Sequence, residues 1–164
     1  MLAKVVQDAL NDQIRKEYAS SYLYLAMAAC AEANNLLGSG RWMRLQSQEE
    51  LGHAMKLFDY VNDRGGRVRL EAIEQPPADF GSALQMFEKT LAHEQQVTAS
   101  IHKLYALAVT EQDYATQIVL QWFITEQVEE EKNATMVVEQ LKAVGESKTS
   151  LMLLDRHLGK RGQQ

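Results

Sequence analysis

Four long segments of the chain repeat apolar residues at the i, i+3, i+4, i+7 spacing that buries one face of an α-helix. The pattern predicts four long helices and a short fifth one, over about 2–34, 41–65, 82–111, 114–144 and 150–159. The second connection is long, spans Gly66–Gly81 and holds both prolines of the chain, whereas the first and third are short. The whole chain, 1–164, is therefore predicted to be one all-α domain: a four-helix bundle with one long crossover and a short C-terminal helix.

The ends of these helices carry two further predictions. Ser39 and Asp113 precede the second and fourth helices and are expected to act as their N-caps. The fifth helix follows a complete bundle, so we expect it to pack between subunits rather than join a core of its own chain. It carries Leu151, Leu153, Leu154 and Leu158.

Each of the four apolar stripes is interrupted near its middle by residues of a metal-binding type. The first and third stripes carry one glutamate each, whereas the second and fourth carry a polar pair at i and i+3, a spacing that faces one way on a helix. An offset of 77 residues relates the two halves of the chain and pairs Glu17 with Glu94, Glu50 with Gln127 and His53 with Glu130. Two related antiparallel hairpins place such side chains at one depth of the bundle.

Charge and composition narrow the range of partners. The net charge of −5 gives no general attraction to nucleic acid or to an anionic membrane, so neither is an expected partner. The longest apolar run, Tyr22–Ala31, is shorter than the roughly 20 residues that span a bilayer, and no secretory leader is expected. The one cysteine, Cys30, excludes an intramolecular disulfide and is expected to be buried, in a protein of the reducing cytoplasm.

The buried acids predict a site for divalent cations. Four negative charges in an apolar bundle are very costly unless they are paired, and two divalent cations neutralise all four. Carboxylates with one imidazole suit Fe(II), Mn(II) or Zn(II), while the absence of thiolate ligands argues against structural zinc. A lone glutamate usually lies on a solvated helix face, but that explanation does not fit four glutamates in register on apolar stripes. These four are Glu17, Glu50, Glu94 and Glu130.

Over nearly its whole length the chain resembles the bacterial non-haem ferritins. The resemblance is carried by "IRKEYASSYLYLAM", "QSQEELGHAMKLFDYVNDRGG", "FEKTLAHEQQVTASI" and "VLQWFITEQVEEEK". Inward glutamates with Glu-x-x-His pairs are a general feature of ferritin-like di-metal bundles. The resemblance implies one subunit of a hollow shell of 24 identical subunits, which oxidises Fe(II) with O₂ or H₂O₂ and stores the ferric mineral inside.

The same resemblance assigns roles to individual residues. It implies that the first iron is bound by Glu17, Glu50 and His53. It implies that the second is bound by Glu50, Glu94 and Glu130, with Gln127 as a hydrogen-bonding neighbour. A third iron site is implied at Glu49, Glu126, Glu129 and Glu130, and three of these share one helix face by their spacing. Tyr24 resembles the tyrosine beside the di-iron centre, which could supply an electron, and the alternative is an ordinary core tyrosine. Trp122 stays open between packing and electron transfer.

Related families fit the sequence less well. A haem-binding bacterioferritin has a methionine after the glutamate of the second helix and a second Glu-x-x-His, where this chain has Leu51 and Gln127-x-x-Glu130. No haem is therefore expected. One cysteine excludes the rubredoxin module of rubrerythrins, and the DNA-protecting mini-ferritins place their ligands between subunits. A purely structural bundle leaves the buried acids unexplained. His93 and His102 lie off the ligand stripe and are not expected to be ligands.

Overall fold

The computed structural model describes residues 2–163. This range forms five α-helices, and the one long irregular segment between helices connects the second helix to the third. The helices are α1 (Lys4–Ala33), α2 (Leu37–Asp63), α3 (Ala83–Thr110), α4 (Tyr114–Val144) and α5 (Lys148–Leu158). α1 packs along α2, α3 packs along α4, and α1 also contacts α3. The predicted all-α bundle with a long crossover and a short C-terminal helix is confirmed. Among residues 2–163, no helix is long and apolar enough to cross a membrane.

Helix α4 begins at the predicted residue and has the predicted N-cap, whereas helix α2 does not. The Asp113 carboxylate accepts a hydrogen bond from the Thr116 backbone N–H at 3.1 Å, which satisfies a donor that the first helical turn leaves free. Arg64, just after α2, donates to the same carboxylate at 2.9 Å and ties the two helices together. The prediction that Ser39 caps α2 is wrong, because the helix begins two residues earlier, at Leu37.

α5 supplies the cap that α2 lacks. The Asp155 carboxylate accepts from the Gly38 and Ser39 backbone N–H groups, both at 2.8 Å, and from the Ser39 hydroxyl at 2.7 Å. A carboxylate at this end also favours the helix dipole. A Cβ atom on Gly38 would lie 1.6 Å from the Asp155 carbonyl oxygen, so only glycine permits this contact.

The expectation that α5 joins no core of its own chain is also wrong. Leu158 is buried in an apolar cluster of the bundle, and Leu151 and Leu154 pack against that cluster. Met152 and Leu153 on the opposite side are each 61% exposed. α5 therefore closes one end of the bundle and still presents an apolar outer edge.

Two apolar clusters fill the two ends of the bundle and leave a polar layer between them. One cluster contains Met27 of α1, Met43 of α2, Phe87 of α3 and Val137 of α4. The other contains Ile14, Leu57, Ile101 and Phe123 from the same four helices. Each of the four long helices carries buried polar residues between these two levels, among them Glu17, Glu50, Glu94 and Gln127, and Cys30 is buried in the first cluster.

Candidate metal centre

The six residues predicted to point inward are all buried, and they come from all four long helices. Their exposed fractions are 1% for Glu17, 0% for Glu50, 5% for His53, 1% for Glu94, 3% for Gln127 and 4% for Glu130. On each helix these residues lie in the polar layer between the two apolar clusters. The layer is therefore assembled by the packing of the helices and not by a local loop.

The α1–α2 half of the layer leaves carboxylate oxygens open. Glu17, Glu50 and His53 each offer one ligand atom, and these atoms lie within 4.8 Å of one another. Nδ1 of His53 lies 3.4 Å from Oε2 of Glu50. Within residues 2–163, Oε2 of Glu17 and Oε2 of Glu50 are buried and have no hydrogen-bond partner. Two unpartnered carboxylate oxygens beside an imidazole fit the ligand preferences of a divalent transition metal.

In the α3–α4 half of the layer, both oxygens of Glu94 and one oxygen of Glu130 accept hydrogen bonds. Oε1 of Glu94 accepts from the Tyr24 hydroxyl, and Oε2 accepts from Nε2 of Gln127 at 3.2 Å. Gln127 also donates to the Glu94 carbonyl oxygen and to Thr98 Oγ1, both at 3.2 Å. Oε2 of Glu130 accepts from Nε2 of Gln46 at 2.9 Å. These donors stabilise the negative charge of both carboxylates.

Burial dominates the electrostatics of the four acids. It raises the pKa of Glu17 and Glu50 well above the ordinary value, and neighbouring carboxylates raise the two pKa values further. Burial also raises the pKa of Glu94, while the hydrogen bonds from Tyr24 and Gln127 oppose the change. Burial and the charge of Glu94 raise the pKa of Glu130 to about 7. The cluster therefore holds protons at neutral pH that a bound cation would displace.

The predicted third site is divided in this structure. Glu126 and Glu130 come together with His53, each offering a ligand atom within 4.8 Å of the others. Glu49 instead forms an ion pair with Arg161 at 2.6 Å, and Glu129 is exposed on α4. Among residues 2–163, neither grouping of potential ligands includes Glu49 or Glu129. The assignment of these residues to a third iron stays a prediction.

Aromatic rings surround the polar layer. Tyr24 is fully buried, and burial together with the nearby carboxylates raises its pKa well above the ordinary value. His93 lies edge-on to Tyr24 at 5.6 Å and hydrogen-bonds the Ser20 hydroxyl at 2.8 Å, and it belongs to neither ligand grouping. Trp122 lies edge-on to His53 at 5.4 Å and is 39% exposed, so it covers the outer side of the imidazole.

Sequence reasoning did not identify Gln13 and Gln46 as parts of the site. Gln13 donates to Oε1 of Glu17 at 2.8 Å, and Gln46 donates to Oε1 of Glu50 at 3.1 Å. Each glutamine precedes its glutamate by four residues, which places both side chains on one helix face. A buried glutamine one turn before an inward glutamate was the available signal.

A four-helix bundle with carboxylates from every long helix and a histidine at mid-depth is the arrangement used by ferritin-like carboxylate metal proteins. A sequence model of the ferritin family, described as a ferritin-like domain, matches residues 7–144. The chain is 37% identical over 161 residues to the bacterial non-heme ferritin of Staphylococcus aureus strain USA300, covering 98% of this chain and 97% of that protein.

Another relative is the bacterial non-heme ferritin of Campylobacter jejuni, which is 40% identical over 158 residues, 96% of this chain and 95% of that protein. An open pore ferritin from the hyperthermophilic archaeon Archaeoglobus fulgidus superimposes with a TM-score of 0.97 at 48% identity, covering 98% and 99% of the two chains. The chain belongs to the ferritin family. The resemblance to bacterial non-haem ferritins is thereby confirmed.

Proposed function

We propose that the protein stores iron, and that each subunit oxidises Fe(II) at a di-iron centre in its own polar layer. Membership of the ferritin family supports the storage role. The observation that carries the oxidase role is the pair of buried, unpartnered oxygens of Glu17 and Glu50 beside His53. A buried acid with an open oxygen is costly in the metal-free protein and becomes favourable when it binds a cation.

The residues of the layer take the roles that their placement allows. Glu17 and His53 bind the first iron, and Glu50 bridges the two metals. Glu94 and Glu130 bind the second iron, and Gln127 holds Glu94 through its amide. Each Fe(II) gives up one electron, so a pair of them reduces one O₂ to H₂O₂ with uptake of two protons. The bridging carboxylate keeps the two electrons available together, so that no superoxide is released.

Two neighbouring groups extend this proposal. Tyr24 donates its proton to Glu94 in a hydrogen bond, and it is the nearest phenol from which an extra electron can come. The acidic residues Glu49, Glu126, Glu129 and Glu130 form the third iron site. His53 lies close to both groups of ligands, so the third site is continuous with the first.

We further propose a homo-oligomeric shell of 24 subunits in the cytoplasm. Several large apolar side chains on the outside of the subunit are available for contacts between subunits, and contiguous exposed apolar patches mark such contacts. They include Tyr114 at 72% exposed, Ile118 and Val128 at 69%, and Leu153 at 61%. The lone buried cysteine agrees with a reducing compartment.

The proposal is tested by anaerobic Fe(II) titration together with sizing of the purified protein. We expect a particle of several hundred kilodaltons that binds at least two Fe(II) per subunit and oxidises them rapidly on addition of O₂ or H₂O₂. Thr110→Val, at the exposed end of α3, is the matched control and should leave both properties unchanged. An iron-active monomer would contradict the shell, and a shell without tight Fe(II) binding would contradict the di-iron centre.

A further inference from the structure

A chain of hydrogen bonds crosses from the surface of the bundle to Glu17. Nζ of Lys16 lies 2.9 Å from the Ser100 hydroxyl, which lies 2.7 Å from Oε1 of Gln13. Nε2 of Gln13 in turn lies 2.8 Å from Oε1 of Glu17. The chain passes from α1 to α3 and back to α1, so it depends on the packing of two helices.

The chemistry of the donors fixes the direction of every bond. An ammonium group can only donate, so Ser100 accepts from Lys16 and has its single proton left for Gln13. The Gln13 side chain must then accept through its oxygen and donate through its nitrogen. The reversed amide would place the carbonyl oxygen against the Glu17 carboxylate and leave the Ser100 proton without its acceptor.

The fixed amide decides which oxygen of Glu17 is free. Oε1 is occupied by Gln13, and Oε2 is the oxygen without a hydrogen-bond partner within residues 2–163.

Glu50 offers an internal comparison. Gln46 occupies the equivalent position one turn before Glu50 and donates to Oε1 of that residue. However, Oε1 of Gln46 is buried without a partner in the described part of the chain, so no donor holds this amide from behind. The amide that holds Glu17 is thus bonded at both its oxygen and its nitrogen, whereas the amide that holds Glu50 is bonded only at its nitrogen, which Glu50 shares with Glu130.

We propose that Lys16, Ser100 and Gln13 form a positioning relay that presents Oε2 of Glu17 to the first metal. This inference rests on the proposed function, because it needs a metal at Glu17. The relay fixes the orientation of the amide that holds Glu17, while no donor fixes the oxygen of the amide that holds Glu50. All three relay residues line a cleft of about 390 Å³ between α1 and α3. The relay residues are therefore accessible from this cleft.

The test uses Co(II) as a probe under anaerobic conditions, with its absorption spectrum reporting the geometry of the first site. Ser100→Ala should weaken binding of the first Co(II) by about tenfold, the usual lower range for loss of a group that orients a metal ligand. The absorption of the first site should change with it. Ser100→Thr keeps the hydroxyl and should restore both values, and Thr110→Val should leave both unchanged.

A second variant tests the outer end of the relay. Lys16→Met removes the donor to Ser100 at a side chain that is 41% exposed, and it should weaken the first Co(II) by less than Ser100→Ala does. If Ser100→Ala does not assemble, Lys16→Met tests the relay in its place. Wild-type affinity and spectrum in the altered relay would overturn the proposal, as would equal losses in Ser100→Ala and Ser100→Thr. If Glu17→Ala also binds the first Co(II) normally, the proposed metal centre itself is wrong.

Discussion

The two halves of the bundle carry related residues in the same register, yet they hold them in different states. The α1–α2 half leaves Oε2 of Glu17 and Oε2 of Glu50 without hydrogen bonds inside the described chain. The α3–α4 half surrounds Glu94 with the Tyr24 hydroxyl and the Gln127 amide. Part of the difference follows from two exchanges, since Gln127 and Glu130 occupy the positions that correspond to Glu50 and His53, while the Tyr24 hydroxyl comes from α1.

The four carboxylates are all buried, but the two halves differ in how many hydrogen bonds stabilise the charged form. Hydrogen bonds to a carboxylate favour its charged form, and burial without them favours the neutral form. The first half therefore stores more unfavourable energy in the metal-free protein and gains more when a cation arrives. We expect the first metal to bind on the α1–α2 side, with the second following at Glu94 and Glu130.

The strongest test of this difference removes the carboxylate shared by both halves. Glu50→Ala should reduce rapid Fe(II) oxidation by about 100-fold or more, because loss even of an outer group costs 10–100-fold. The free energy of unfolding of the metal-free shell should stay equal or increase, since one of four mutually repelling acids is gone. Stopped-flow oxidation and thermal unfolding of the metal-free protein measure the two effects.

Glu50→Gln serves as the control, because it removes the charge and keeps the volume. It should show the same loss of oxidation without any cavity. Rapid oxidation in Glu50→Ala would place the active centre elsewhere. A large loss of metal-free stability in both variants would make Glu50 a structural residue.

A smaller effect is expected when the link between the two halves is cut. Gln46 donates to Glu50 and to Glu130, so it joins α2 to α4 across the layer. Gln46→Met removes both bonds at similar volume and should weaken the second metal by about tenfold. The first metal should change less, because Gln13 still holds Glu17. Co(II) titration of the two steps, with exposed Gln48→Met as control, checks this order; an equal loss at both steps would contradict it.

Because of the raised pKa values, the stability of the metal-free protein and its affinity for metal should change in opposite directions with pH. The pKa of Glu130 is raised from 4.5 to about 7, so between these values the folded protein keeps a proton that the unfolded chain has lost. The free energy of unfolding of the metal-free shell should therefore fall as pH rises through this window. Glu17 and Glu50, with pKa values raised well above 4.5, extend the fall upward. Metal affinity should rise over the same range.

The contribution of one acid can be isolated by comparing the wild type with Glu130→Gln. The difference in metal-free unfolding free energy between the two proteins should shrink below pH 5 and be largest above pH 7. A difference that does not change with pH would mean that Glu130 has the same pKa in the folded and unfolded protein. Chemical unfolding at a series of pH values, with metal removed by a chelator, provides the measurement.

The sequence predicts the fold and the inward residues well because both depend on helix periodicity. The start of α4 at Tyr114 and its Asp113 cap are local signals and match the prediction. The start of α2 was misplaced, because its first turn is capped by Asp155, more than 100 residues away. Propensity at Leu37–Gly40 gives no sign of that contact. Helix starts that depend on tertiary partners lie beyond what local patterns can predict.

The hydrogen bonds of the centre were harder to predict for a related reason. A helical stripe shows which way Gln46 points, but not that its amide reaches Glu130 on another helix. The Lys16–Ser100–Gln13 chain likewise depends on the rotation of α3 against α1. The same limit applies to Glu49, whose partner Arg161 comes from the segment after α5. Helix periodicity shows which face of a helix a residue lies on, but the packing of the helices determines which side-chain atoms form hydrogen bonds.

The smallest expected effect concerns the acidic edge beside the first half. Glu129 is exposed and shares no described ligand grouping with His53, so Glu129→Ala should leave rapid oxidation at the di-iron pair intact. If Glu129 helps to bind a third iron, its loss should alter the number of Fe(II) oxidised per O₂, because a third iron supplies an extra electron. Combined oxygen-electrode and Fe(II) measurements give this ratio. An unchanged ratio would make the acidic edge a mineral-nucleating surface or a solvated helix face, and the difference between the halves would then end at the two-metal centre.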